Sequence, residues 1–171
     1  GDFSFGLTTE LDAGEELIWD PSTQRFGMDY WSAHAMLENF KGFKKIIVGD
    51  YQLQLGQGLL FGAGFGVGKG SETINALERV NLGARPYTSV IEGGFLRGLA
   101  ATHDINYKLQ LTAFLSRLKQ DANLRTDEDS FEQYFSTIQT IGFHRTPSEI
   151  ANKRQITESL IGANLHYIPV H

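Results

Sequence analysis

Residues 45–61, KIIVGDYQLQLGQGLLF, alternate in polarity over nearly their whole length. Ile47, Gly49, Tyr51, Leu53 and Leu55 share one face of an extended chain, and Val48, Asp50, Gln52, Gln54 and Gly56 share the other. A strand points successive side chains to opposite faces, so the stretch reads as one strand with an apolar and a polar side. It is well beyond the roughly 5–6 residues of an ordinary globular strand. A strand this long needs long neighbours, and the rest of the chain is read for them.

Residues 2–11 alternate most clearly, with Phe3, Phe5, Leu7, Thr9 and Leu11 on one side. Residues 12–25 carry Gly14 and the run Asp20-Pro21-Ser22, which is loop chemistry. Residues 27–39 form a second strand with Trp31, Ala33, Ala35 and Leu37 on one face, although the good helix formers of 33–37 also fit a helix. After the central strand comes a Gly-rich segment, with a short helix expected over 71–80. Further strands are expected over 89–103, 106–117, 134–143 and 156–168, with a tight turn at His103-Asp104 and a charged loop over 119–130. Thr146, Pro147 and Glu149 have the spacing of a capping box, which predicts a helix over 147–154.

The connections between these seven strands alternate between long and short, apart from an intermediate one that carries the helix. Up-and-down outer-membrane barrels keep short turns on one side and long loops on the other. A soluble sandwich has no reason to keep that parity. No apolar run approaches 18 residues, so a membrane helix is excluded, but a membrane β-barrel is not. Orientation follows from the same reading. Ile47, Tyr51, Leu53 and Leu55 are expected to face lipid. A polar network of Asp50, Gln52, Gln54, Glu92, Arg97 and Arg117 is expected to face the lumen. An odd count of seven strands cannot close a bacterial single-chain barrel, so more strands are expected outside this chain. The chain opens at Gly1 in a strand pattern and carries no visible signal peptide, as expected of a piece of a longer chain or a processed product.

Other chemistry finds little support. The net charge of −5 gives no support to nucleic-acid binding, and the absence of Cys removes disulfides and thiolate metal sites. The run of residues 62–71 fails the P-loop pattern at Ala63 and Gly70. His34, His103, His144, His166 and His171 lack metal-ligand spacing, so no metal and no cofactor is expected. His144-Arg145 reads as a structural pair beside the helix start, capping a turn or pairing with Glu149. Ser136 and His144 are the sole candidates for a hydrolase pair, without a nucleophile-elbow context.

Three stretches carry a resemblance. GDYQLQLGQGLLF (49–61), RPYTSVIEGGFLRGLAAT (85–102) and GFHRTPSEIANK (142–153) resemble, in order and spacing, blocks of a family of large outer-membrane β-barrel proteins of Bacteroidetes-type bacteria. Members of that family often carry helix-hairpin-helix repeats before the barrel, and no such pattern is present here. The resemblance implies a barrel segment of poorly defined function. The expectation is therefore an all-β chain, 1–171 being a single domain. It is an antiparallel up-and-down transmembrane barrel segment with long outer loops and one or two short helices. A non-enzymatic role in transport, assembly or anchoring in the bacterial outer membrane goes with it. Outer-membrane lipid is the expected partner, with other outer-membrane or periplasmic subunits as further candidates. The alternative is a soluble β-sandwich or small barrel that binds a ligand.

Overall fold

The computed structural model describes residues 1–56, 58, 61, 81–127, 132–139 and 142–168. The helix expected over 71–80 and the Gly-rich run of 62–71 lie outside the described residues. The elements in chain order are β1 (Asp2–Glu10), β2 (Ile18–Asp20), β3 (Arg25–Gly27), β4 (Tyr30–Phe40), β5 (Phe43–Gln54), β6 (Gly83–Pro86), β7 (Leu96–Asn106), β8 (Leu109–Thr126), β9 (Gln133–Gln139), α1 (Pro147–Ala151) and β10 (Ile156–Tyr167). Six long strands form an antiparallel meander in the order β1-β4-β5-β7-β8-β10. Every neighbour along it is the next long strand in sequence. Among the described residues no pairing joins β1 to β10.

The segment 27–39 is strand, paired to β1 on one side and β5 on the other. Partners on both sides satisfy its backbone, which outweighs the helix propensity of its alanines. All seven expected strands are present, though not all are full members of the meander. The sixth expected strand is the short β9, which pairs only with the far end of β8. The meander proper therefore has six members, and the odd-number argument for missing strands does not hold. The charged stretch 119–130 is not a loop from its start, because β8 runs on to Thr126. Its charges are tolerated there because they are partnered or exposed, Asp121 being partnered by His144 and Arg154 N.

The turns explain the connection parity. Lys41 and Gly42 both have positive φ between Phe40 and Phe43, the backbone that lets a two-residue hairpin follow strand twist. At the next short turn Asn106 Oδ1 accepts from the backbone N–H groups of Lys108 and Leu109, at 2.8 and 3.0 Å. That side chain, rather than His103-Asp104, makes the turn, and both of those residues stay in β7. The two short turns lie at one end of the sheet. The strand ends that the three long connections join, β1 to β4, β5 to β7 and β8 to β10, all lie at the other.

Register places the side chains in rows that cross all six strands. Phe5, Ala35, Val48, Leu99, Leu115 and Ile161 form one row, and Phe3, Leu37, Ile46, Ala101, Ala113 and Ala163 form the next row on the same face. Both rows are wholly apolar, yet Phe5, Val48, Leu115 and Ile161 are exposed, Ile161 at 83%. The row between them points the other way: Ser4, Met36, Ile47, Ala100, Phe114 and Gly162. Here Ile47 and Ala100 are fully buried. Thr102 and Thr112 share a 3.1 Å hydrogen bond on this covered face, and Lys45 pairs with Glu38 at 3.4 Å. An antiparallel sheet in water normally turns its apolar face to the core and its polar face to solvent. Here the open face is apolar as well, and the covered face mixes an apolar cluster around Ile47 and Phe114 with threonines, His34 and a Lys–Glu pair.

The orientation expected for the central strand is corrected. Ile47, Tyr51 and Leu53 lie in the covered core with Ala84, Ala100 and Phe114, and Leu55 packs against it. Tyr51 reaches across to donate to Leu115 O at 2.7 Å. Ile46 and Val48 take the open face instead. The strand also stops at Gln54 rather than at Phe61, because Gly56 and Gly58 have left-handed backbone. Pairing between β4 and β5 ends at His34 and Gly49; Gly49 sits at φ 102°, and a Cβ there would run into Ala33 O. Beyond that point β6 takes the side of β5 that β4 has left.

Candidate functional site

Where β4 parts from β5, the freed Ala33 N–H donates to Asp50 Oδ2 at 3.1 Å. Arg97 closes the gap with a two-pronged contact, Nε to Oδ1 at 2.6 Å and Nη2 to Oδ2 at 2.8 Å, and donates also to Trp31 O. Such a fork fixes geometry as well as charge. Asp50 is buried, and Gln54 is buried nearby in the strand. Gln52 lies 3.5 Å from Gly94 O. Arg117 is exposed on β8 opposite Ser159, and Glu92 belongs to a different cluster. Of the six residues expected to form one network, Asp50 and Arg97 make a tight pair, while Arg117 is exposed and Glu92 lies in another cluster.

The second cluster lies at the long-connection end and centres on His144. Its Nδ1 meets Asp29 Oδ2 at 2.5 Å and its Nε2 meets Asp121 Oδ2 at 2.7 Å. Its backbone N–H donates to Glu15 Oε1 at 2.8 Å. Lys153 Nζ donates to Asp29 Oδ1, and Arg154 N to Asp121 Oδ1 at 2.7 Å. Local structure sets this up. Asp29 immediately precedes β4, and Asp121 stands one residue past the last β8–β10 pair. The helix α1 holds its ends in order through the capping box of Thr146 and Glu149. Ala122 N then donates to Asn152 O, which fastens the turn after α1 to β8.

Burial acts on each group differently. For His144 burial disfavours the cation, but the hydrogen bonds to Asp121 and Asp29 outweigh it and hold the pKa at about 9. The imidazole is therefore charged at neutral pH and donates from both nitrogens. Burial would raise the Asp29 carboxyl, yet His144 and Lys153 bring it below the ordinary range. Among the described residues no such donor reaches Glu92, and burial, helped by Asp29, pushes it up to about 8. Its carboxyl lies against Gly142, where a side chain would have no room. A cavity of 350 Å³ opens beside the cluster, lined by Glu92, Asp121, His144, Lys153 and, further out, Trp31 and Arg97.

Two sets of atoms have metal-like spacing, Glu15/Asp29/His144 and Glu92/Asp121/His144. Each depends on a His144 nitrogen that already donates to a carboxylate, with the Lys153 ammonium against Asp29. As it stands the arrangement is a hydrogen-bonded ion cluster. Ser136 Oγ is exposed and lies 3.4 Å from Asn123 O, so Ser136 and His144 do not form the pair considered from sequence. Arg145, not His144, is the partner of Glu149, at 3.8 Å. Sequence reading missed Asp29, Asp121 and Lys153. The one available signal was local: the capping box placed His144 just before a helix.

No family model, curated protein or solved structure matches the chain.

Proposed function

We propose that this chain is a segment of a bacterial outer-membrane β-barrel with a non-enzymatic role in transport, assembly or anchoring. The observation that carries the reading is the pair of charge-free rows that cross the open face of all six strands. Leaving side chains such as Phe5, Leu115 and Ile161 in water forgoes roughly 1.5–3 kcal/mol for each large one. Lipid removes that penalty. The covered face, with its threonines, His34, Asn164 and a Lys–Glu pair, has the character of a barrel interior. Strict alternation of short turns and long connections supports the same reading, as does the resemblance of residues 49–61, 85–102 and 142–153 to an outer-membrane family. The occupied His144 nitrogens and the distant Ser136 favour a role without catalysis. The test is extraction of the expressed chain from membranes, followed by gel migration with and without boiling. Retention by membranes after alkaline carbonate, and a heat-dependent shift in migration, are expected. A monomer soluble without detergent would sink the proposal.

A further inference from the structure

The three long connections are separate in sequence, yet one buried side chain ties them together. The first supplies Glu15 and Asp29, the second Glu92, and the third His144 and Lys153; Asp121 faces them from β8. We propose that His144 is a proton-operated clasp that holds residues 11–29, 87–95 and 142–155 together beside the cavity and releases them when it loses its proton.

Closed, the clasp sets the carboxylates of Glu15, Asp29 and Asp121 against two cations, His144 and Lys153, with Glu92 neutral. Arg145 points away from it, over the Phe143 ring. Arg154 joins it through its backbone N–H, while its side chain reaches toward Gln24 O. Arg97, which lines the cavity, is already engaged by Asp50. Open to alkaline solution, four carboxylates would face one ammonium. Leaving buried charges unpaired in this way is strongly destabilising.

The sign follows from linkage. The His144 pKa is raised from 6.5 to about 9, so its contribution to closure is complete below the lower value and lost as pH rises through the higher. Glu92 is raised from 4.5 to about 8 and acts in the same direction over its own window. Asp29 is lowered, so its contribution is lost only in acid. The clasp is therefore closed up to near-neutral pH and opens as pH rises from about 6.5 through about 9.

The test is hydrogen–deuterium exchange of the whole folded chain over pH 6–10, corrected for the intrinsic rate. Protection of residues 11–29 and 142–155 is expected to fall about tenfold or more across the opening window, while the β7–β8 hairpin at the other end is unchanged. His144→Gln keeps a polar side chain that cannot carry the charge, and should leave both segments unprotected at pH 7. Should that variant fail to fold, Glu92→Gln serves instead, because it removes one titrating group and should move the loss of protection to higher pH. Protection that stays level from pH 6 to 10 in the native chain, or a Glu92→Gln midpoint equal to the native one, would overturn the clasp. Neither result bears on membrane residence, which the extraction experiment decides separately.

Discussion

Ile47 and Val48 are adjacent, alike in chemistry and opposite in surroundings: one is fully buried and the other 53% exposed. Sequence could not assign them, because residues 46–48 are apolar on both faces and such a run carries no orientation. The neighbours decide it. Val48 stands between Ala35 and Leu99 in an apolar row, while Ile47 meets Met36 and Ala100. Phe114 is the test of the covered side. Its ring sits edge-on to Phe61 at 5.3 Å, over the space a side chain at Gly162 would need. Phe114→Ala is expected to cost about 3–5 kcal/mol in chemical denaturation. Val48→Ala on the open face should stay within about 0.5 kcal/mol. Equal costs for the two would mean that the faces are assigned the wrong way round.

At the scale of elements, what sequence showed depended on how local the determinant was. The helix α1 was legible because Thr146, Pro147 and Glu149 fall within four residues, and the structure contains the full capping box. It ends at Ala151, earlier than the expected 154, because Asn152 caps it and Arg154 takes a left-handed backbone. Thr146→Ala should lower stability by about 1 kcal/mol, with Thr146→Ser close to the native protein. A loss equal in both variants would place the effect outside the cap. The strand β6 was not legible, since four residues with Gly and Pro read as loop; its role comes from β5 needing a partner where β4 departs. The His144 cluster was hidden for a similar reason. Its partner Asp29 is 115 positions away, so no spacing rule reaches it.

For the whole molecule the alternation of connection lengths was visible in the sequence, and the topology reproduces it with fewer full-length strands. The arrangement of the faces emerges only from register, which aligns alternating segments into continuous rows. A charge placed in those rows separates the two environments the open face could meet. Leu115→Arg lies mid-row, between Leu99 and Ile161. Facing lipid, it should cost roughly 2–4 kcal/mol and reduce the membrane-extracted fraction. Facing water, it should be nearly neutral and improve solubility. Lys45→Arg on the covered face serves as the control, since it keeps the charge that already stands beside Glu38.

The 18-residue β8 is longer than anything it pairs with. Its last β10 partner is at Gln120, and residues 121–126 continue with β9 as a two-stranded ribbon. At about 3.3 Å per residue that ribbon overhangs the sheet by roughly 20 Å. A probe that approaches from the long-connection end therefore meets the ribbon ahead of the sheet, and the exposed strand β9 is the place for a reporter of that approach.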